Sequence, residues 1–294
     1  MILATILVLI PYSINEITEF NDIPFLENVK HELKPVQGPI QPASLSSISE
    51  KINHDNPNQK INEKLIQGIS KLELPFIKNE GQINSEQVKY YANTFSGTVF
   101  VTNNGLTYSI PDPYTKDEKH STNMTLSVIQ EEFTNANHLH ITGSQKSSTG
   151  VSYFIGNNSK EWHKDIPTYN VVSLGTLWPG INLDLKAHGN NVEKIFTLNP
   201  GANVHDINIG IHGISNLEPS DGSILLYTGK GIISMSKPIA YQMIHDVTKN
   251  VDVSYVISGK TYGFMLGKYD ESYPVIIDPI IQSTYLGGSS ADFA

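Results

Sequence analysis

Alternating apolar and polar positions run through most of the chain after residue 75, and this two-residue period predicts β-strands. The clearest case is VDVSYVISGKTYGFML at 251–266, in which two alternating runs flank a Ser-Gly-Lys turn. Asn-Asn-Gly at 103–105 and Gly-Lys-Gly at 229–231 indicate further hairpins. Since no long helical pattern interrupts these runs, residues 74–280 are predicted to form a mainly β domain, either one antiparallel β-sandwich or two small sandwiches.

The region before residue 74 has a different composition. Residues 13–73 carry repeated prolines, as in KPVQGPIQPASLSS, which predicts a disordered, extended linker. Ile61, Leu65 and Ile69 recur at helical spacing near its end, so one short helix is expected there.

Apolar side chains fill most of residues 2–10, ILATILVLI. As a helix this stretch would reach about 14 Å, less than the ~30 Å hydrocarbon core of a bilayer, so no transmembrane span is expected. A secretory signal has an apolar stretch of this length, and a buried strand is the alternative. Residues 1–12 are therefore predicted to be a signal-type segment of an extracellular or cell-surface protein.

Composition excludes several classes of function. The chain has no Cys, so thiolate chemistry, disulfides and Cys-based metal sites are excluded. Its basic residues are all Lys, and the net charge is -9. Without guanidinium groups or a basic stripe, nucleic acid is not an expected partner.

Short motifs succeed one another along the β-rich region. In chain order they are FIKNEGQ, GTVFVTNNGLTYSI, YFIGNNSKEW, IPTYNVV, LWPGINLDL, NPGA, KPIAYQ, YDESYPVIIDP and STYLGG. These motifs contain Asn79, Gly81, Gln82, Gly156, Asn157, Trp162, Pro179, Gly180, Pro200, Gly201, Pro238, Tyr241, Gln242, Tyr269, Asp270, Asp278, Pro279, Tyr285, Gly287 and Gly288.

In this order the motifs resemble the N-terminal β domain that precedes seven-bladed β-propeller (SBBP) repeats in exported and cell-surface proteins of bacteria and archaea. The resemblance implies a non-catalytic module that caps and positions a C-terminal propeller, for adhesion or surface recognition. It also implies that the motif residues named above have structural roles. It also implies that residues 281–294 begin a truncated propeller repeat. The implied partners are the propeller repeats, surface polysaccharide and other surface proteins, and no cofactor is implied.

Two weak metal-binding patterns occur. His138 and His140 would share one face of a strand, a spacing that zinc sites use, although two histidines on a solvated strand face are the commoner explanation. Calcium would need a set of oxygen ligands drawn from separate stretches, and Asp-Gly at 221–222 is also a common turn. The candidate calcium ligands are Asn182, Asp184, Asp221, Asp270 and Asp278.

Two rival functions and a modification remain open at this point. Trp162 and Trp178 stand beside turn residues, where an indole can stack on a sugar ring, but anchoring the β core is the more usual use of a large aromatic side chain. An exported polysaccharide hydrolase could use carboxylates such as Asp184 or Asp270. Asn123 and Asn157 begin Asn-x-Ser/Thr sequons and are candidate glycosylation sites.

Overall fold

The computed structural model describes residues 72–111, 126–154, 157–189 and 191–279, and the backbone of 281–286. Within these ranges the regular secondary structure consists of 22 β-strands and two short 3-10 turns, Ser159–Glu161 and Val204–Asp206. The first eleven strands are β1 (Glu73–Leu74), β2 (Phe76–Lys78), β3 (Val88–Thr94), β4 (Gly97–Thr102), β5 (Gly105–Pro111), β6 (Leu126–Phe133), β7 (Thr142–Lys146), β8 (Val151–Tyr153), β9 (His163–Ile166), β10 (Thr168–Trp178) and β11 (Ile181–His188). The other eleven are β12 (Asn191–Leu198), β13 (Ile209–His212), β14 (Asn216–Ser220), β15 (Ser223–Tyr227), β16 (Ile232–Met235), β17 (Ile239–Ile244), β18 (Val247–Val251), β19 (Val253–Ser258), β20 (Thr261–Leu266), β21 (Val275–Asp278) and β22 (Ile281–Leu286).

Sixteen strands join into one antiparallel hydrogen-bonded sheet. Its main path runs β18-β17-β21-β12-β11-β10-β2-β3-β4-β5-β6-β13-β20-β19, with β1 added to β11 and β7 added to β10. Alternation explains the central strands, since β11 and β12 each bury every second residue. One face of each strand therefore lies in the core.

The two ends of this path are joined by a single residue. β18 ends at Val251 and β19 begins at Val253, so Asp252 alone separates the first strand of the path from the last. The backbone N–H of Gly267 donates to the carbonyl oxygen of Asp252 at 2.7 Å, next to this bend. The chain thus passes directly from one half of the sheet to the other.

Contacts between distant strands show that the two halves face each other. Phe196 of β12 packs edge-to-face on Phe264 of β20, with ring centroids 5.6 Å apart. Trp178 of β10 packs in the same way on Phe133 of β6 at 6.1 Å. The buried residues between the halves form one large apolar cluster.

A smaller cluster lies beside it, under the β8–β9 pair. Ile77, Tyr91, Val151, Tyr153 and Ile166 are buried there together. Because β8 and β9 form their own two-stranded sheet, this cluster attaches that hairpin to β2 and β3.

Four strands form a third sheet, in the order β14-β15-β16-β22. Its inward residues, including Ile224, Ile233 and Met235, belong to the large core cluster. β22 is hydrogen-bonded to β16, so residues 281–286 extend a sheet that the preceding domain supplies.

The prediction of a mainly β, antiparallel chain is confirmed, and so are the hairpins at 103–104, 228–231 and 259–260. The prediction of one continuous strand at 251–257 was wrong. The alternation from 251 to 257 predicts one continuous strand, whereas the structure divides it at Asp252 between β18 and β19. Periodicity fixes which face a residue occupies but not which strand it pairs with.

The signal-type segment at 1–12, the short helix at 61–69 and residues 13–71 of the predicted 13–73 linker lie outside the described residues. At the end of the predicted linker, Glu73 is in β1, so the β-structure begins one residue earlier than predicted. Within the described part of the chain, no helix is long and apolar enough to cross a membrane.

Candidate functional site

The side chain of Asn79 holds the loop that connects β2 to β3. Its Nδ2 lies 3.0 to 3.1 Å from the carbonyl oxygens of Ile83, Ser85 and Val88. Its Oδ1 accepts hydrogen bonds from the backbone N–H groups of Gly81 and Ile83. Because one carboxamide supplies both donors and an acceptor to the loop backbone, Asn79 fixes the conformation of the FIKNEGQ motif.

Gln82 connects this motif, through Tyr91, to Tyr153, which is the first residue of the YFIGNNSKEW motif. Its Nε2 donates to the carbonyl of Lys78 at 2.7 Å and to the hydroxyl of Tyr91 at 3.2 Å. The Tyr91 hydroxyl in turn donates to the hydroxyl of Tyr153 at 2.7 Å. Burial raises the pKa of both tyrosines, so the chain of hydrogen bonds is uncharged at neutral pH.

The LWPGINLDL and NPGA motifs meet at the turn between β10 and β11. Gly180 has a positive φ of 73° at this turn. Its carbonyl accepts two hydrogen bonds from Asn199, from the backbone N–H at 2.9 Å and from Nδ2 at 3.0 Å. A Cβ on Gly180 would come within 3.0 Å of the Ala202 Cβ, so both conformation and space favour glycine.

Gln242 connects the KPIAYQ motif to the YDESYPVIIDP motif by hydrogen bonds to the backbone. It is 2% exposed, and its Nε2 donates to the carbonyls of Asp270 and Tyr273 at 2.7 and 2.9 Å. Its Oε1 accepts from the backbone N–H of Asp270 at 2.9 Å. The Asp270 carboxylate accepts from the N–H of Ser272, so this candidate calcium ligand or catalytic acid closes a turn.

Of the other motif residues, Tyr241 lies within β17, whereas Tyr269, Gly201 and the motif prolines lie between strands. Pro238 and Pro279 are buried, Tyr241 and Tyr269 are half-buried, and Pro200 and Gly201 are exposed. Gly156, Gly287 and Gly288 lie outside the described residues, and only the backbone of Tyr285 is described.

Asp278, at the end of β21, belongs to a group of titratable side chains near the β11–β12 turn. Burial raises the pKa of its carboxyl group to about 6, and the nearby charge of Glu193 adds to the rise. Its Oδ1 is buried without a hydrogen-bond partner among the described residues. His188 Nε2 lies 3.2 Å from Glu193 Oε2, but the two groups are not oriented for a hydrogen bond.

The most enclosed polar group of the fold joins its two halves. Lys194 of β12 donates to Glu131 Oε1 of β6 at 2.5 Å, and the two residues are 0% and 1% exposed. Tyr262 donates to the same carboxylate oxygen at 2.7 Å, and Tyr108 donates to Oε2 at 2.8 Å. Lys194 also donates to the Tyr262 hydroxyl at 2.6 Å.

The pKa of Lys194 is lowered in this network, whereas the pKa values of Tyr108 and Tyr262 are raised. Burial lowers the pKa of Lys194, while the adjacent Glu131 carboxylate opposes that change. Burial and the same carboxylate raise the pKa of Tyr108 and of Tyr262 well above the ordinary value. With Glu131 accepting from three donors, the group is a satisfied structural network, closed to a ligand from solvent.

His138 and His140 do not lie in a strand, contrary to the prediction. Residues 136–141 form an irregular segment in which both histidines are exposed and Leu139 packs against the core. His138 borders a groove of about 240 Å³, which is lined by Asn103, Asn104, Glu132, Phe133, Ala136, Asn137, His138 and Leu139. Among the described residues, no three His, Cys, Asp or Glu side chains converge as a metal site requires.

The five candidate calcium ligands come from β11, β21 and two loops. Asp184 is in the middle of β11, opposite Ser173 and Ile195. The Asn182 carboxamide oxygen accepts from the Thr176 hydroxyl, and Asp221 is in the β14–β15 turn with a φ of 47°. Asn182 and Asp184 share one face of β11, whereas Asp221 and Asp270 are in separate loops.

The two tryptophans occupy different environments. Trp178 is 2% exposed, and its Nε1 donates to the carbonyl of Thr134 at 3.1 Å. Both faces are therefore unavailable to a sugar ring. Trp162 is half-buried and packs edge-to-face on Phe154 at 5.3 Å, with the Lys164 ammonium 5.7 Å from its ring. Phe154 is 49% exposed, so this pair is an aromatic surface.

The sequon residue Asn157 is exposed next to that surface. Asn158 caps the following 3-10 turn by accepting from the N–H of Lys160. Asn123 lies outside the described residues.

Sequence reasoning missed the Glu131–Lys194 network. A signal was present, since Lys194 occupies the row of β12 that also holds the buried Val192 and Phe196. A charge in an apolar row indicates a buried partner, but the partner is 63 residues away and cannot be named from periodicity.

Comparison with known proteins gives one match. No curated protein sequence and no solved structure is significantly similar to the chain. A family model matches residues 76–280, which include β2 to β21 and end just before β22. The chain belongs to the family described as Domain of unknown function (DUF7948).

Proposed function

We propose that this domain is a non-catalytic module of an exported or cell-surface protein, and that it caps and orients the propeller repeats expected after it. The observation that carries the proposal is the pairing of β22 with β16. The strand immediately after the family domain is built into a sheet of that domain. A C-terminal module attached in this way would have a restricted orientation.

The short connection supports the same role. β21 ends at Asp278 and β22 begins at Ile281, so only two residues separate a central strand of the large sheet from the edge strand of the small one. Pro279 is one of them, and it is buried. A connection of this length with a fixed φ leaves little freedom between domain and strand.

The polar side chains of the motifs bond to the protein backbone, which also supports a structural module rather than a catalytic one. Asn79, Gln82, Asn199 and Gln242 all hold backbone turns, and Asp270 closes one. In this proposal the two facing halves form a β-sandwich whose loops are fixed by carboxamides, so that its surface keeps one shape.

Two experiments test the proposal. Expression with the native N-terminus followed by fractionation should place the protein outside the cytoplasm, and purely cytoplasmic protein would contradict export. The propeller repeats should be soluble and monodisperse when produced with residues 72–286 and aggregate without them. Equal behaviour of the two forms would contradict the capping role.

Carbohydrate recognition is a second candidate, favoured by the contact between the exposed Phe154 and the half-buried Trp162. Aromatic surfaces with an adjacent polar group stack on sugar rings. Affinity electrophoresis with surface polysaccharides should show retardation that Trp162→Ala abolishes and Phe95→Ala preserves. Phe95 is a suitable control because it is 59% exposed in the β3–β4 turn. Equal retardation of the two variants would remove this candidate.

A further inference from the structure

We propose that the edge of β16 is a strand-accepting site whose ligand is the extended segment Ile281–Leu286. The site should bind a peptide of this sequence even when the covalent connection is cut. This inference rests on the proposed function, because it names the segment through which the domain would hold the propeller repeats.

The accepting edge is formed by residues that precede β22. Thr228 shapes the β15–β16 turn: its hydroxyl donates to the Gly231 carbonyl at 2.8 Å and accepts from the N–H groups of Lys230 and Gly231. At the same end of the sheet, the N–H and hydroxyl of Ser215 both donate to the Tyr227 carbonyl. At the opposite end, in the β14–β15 turn, the Ser223 hydroxyl donates to the Ser220 carbonyl. The three strands β14 to β16 are therefore held by their own turns, which leaves the edge preformed.

The register between the strands is specific. Ile281 lies opposite Met235 and Tyr285 lies opposite Ile233, and both β16 residues are 0% exposed. Gln282 lies opposite the half-buried Ser234. A register shift between Ile233 and Ser234 accommodates Ser283 and Thr284 as a bulge. Ile281 and Tyr285 thus pair with the buried row of β16, whereas Gln282 and Leu286 pair with its half-buried row, which holds Ser234 and Ile232. A slip by one position would exchange the two rows.

These features define the class of ligand. Main-chain hydrogen bonds supply the affinity in strand addition, and the residues that alternate along the edge supply the selectivity. The site should accept an extended peptide with apolar residues four positions apart, as at 281 and 285. The acceptor strands belong to the matched family region, whereas the ligand segment comes after it.

Cysteine pairing tests the register in the intact chain. The protein contains no native Cys, so an introduced pair reports only on itself. Ser234→Cys with Gln282→Cys should oxidise to an intramolecular disulfide, seen by mass spectrometry as the loss of two hydrogen atoms. Ser234→Cys with Thr284→Cys, which places the second thiol in the bulge, should oxidise more slowly. Equal rates, or no disulfide in the first pair, would overturn the register.

Peptide exchange tests the accepting site itself. A protease site is inserted after residue 280 of the full chain, the chain is cut, and a fluorescent peptide IQSTYL is added in excess. It should bind at least about tenfold more tightly than a scrambled peptide of the same composition. A cut chain that keeps its circular dichroism spectrum and binds both peptides equally would overturn the proposal.

Should cutting unfold the chain, IQSTYL added during refolding should restore the spectrum and the scrambled peptide should not. Restoration by neither peptide would also overturn the accepting site. These results are separable from the test of the proposed function, because export and the effect on propeller solubility are measured on uncut protein.

Discussion

Lys194 Nζ lies 2.5 Å from Glu131 Oε1, and this contact joins β12 to β6 through the centre of the core. The Glu131 carboxylate also accepts from Tyr108 and Tyr262, which lie on β5 and β20. One buried carboxylate therefore connects strands from both halves of the sheet. A buried charge pair of this kind is costly to break because the surviving partner is left without compensation.

Replacing Lys194 alone should be strongly destabilising. Lys194→Met leaves the Glu131 carboxylate buried and should lower the free energy of unfolding by about 3–5 kcal/mol. Urea denaturation followed by circular dichroism measures the change. The double variant Lys194→Met with Glu131→Leu should lose less than the single variant, because it removes both charges.

The exposed pair of Glu132 and His212 is the matched control. Their side chains are about half exposed, with His212 Nε2 2.9 Å from Glu132 Oε2. Glu132→Ala should change stability by no more than about 1 kcal/mol. A loss for Lys194→Met as small as that of the control would contradict the structural role of the buried network.

Asp278 should make stability depend on pH. Its folded pKa of about 6 is above the unfolded value, so the folded state binds the proton more tightly. The stabilisation is complete below about pH 4, declines through pH 6 and is absent at higher pH. Asp278→Asn should therefore be more stable than the native chain at pH 7.5, by about 1 kcal/mol after allowance for partial solvation, and equal to it at pH 4.

Thermal denaturation at the two pH values checks this prediction. Glu193→Gln removes the neighbouring charge that helps to raise the Asp278 pKa, so in that background the effect of Asp278→Asn should shrink. An Asp278→Asn effect of the same size at pH 4 and pH 7.5 would show that its cause is not ionisation.

Gln242 should control the order of the loop at 269–273. Gln242→Ala leaves the carbonyls of Asp270 and Tyr273 and the N–H of Asp270 without their partner. Lost buried hydrogen bonds of this kind cost about 1–3 kcal/mol. Hydrogen exchange should accelerate in this loop, while Asn250→Ala on the exposed neighbouring strand should leave it unchanged. Unaltered exchange in Gln242→Ala would contradict the assignment.

Gly105 begins β5 where a side chain has no space. Its φ is 144°, and a Cβ would lie 1.9 Å from the carbonyl oxygen of Glu131. Gly105→Ala should cost at least about 2 kcal/mol, from backbone strain together with the forced separation of β5 and β6. Gly229→Ala is the control, since nothing lies within 4 Å of its Cβ position, and it should change stability by about 0.5 kcal/mol or less. Equal denaturation midpoints would contradict the close approach.

Much of the local structure could be predicted from sequence because strand alternation and hairpin turns are local properties. β11 and β12 bury alternate residues as their sequences indicate, and the Asn-Asn-Gly turn joins β4 to β5. The bend at Asp252 could not be predicted, because the residues on both sides continue the same alternation. The chain bends there because β18 pairs with β17 whereas β19 pairs with β20, at the opposite end of the sheet path.

The candidate sites depended more on long-range contacts. Trp178 and Trp162 both stand beside turn residues, yet one is buried against Phe133 and the other packs on the exposed Phe154. Glu131 and Tyr262 are 131 residues apart, and nothing local to either residue indicates the other. The sequence identified the glutamines and asparagines of the motifs as structural residues. It could not identify their hydrogen-bond partners, because these are backbone carbonyls whose positions depend on the fold.

Amide hydrogen exchange over residues 281–286 of the intact chain tests most directly whether the domain holds the strand at its C-terminal end. If β22 pairs with β16, amides in this segment should exchange much more slowly than in an unstructured peptide, and protection should be shared with Ile232–Met235. Exchange of 281–286 at the rate of a free peptide, while β14 to β16 remain protected, would contradict the capping role.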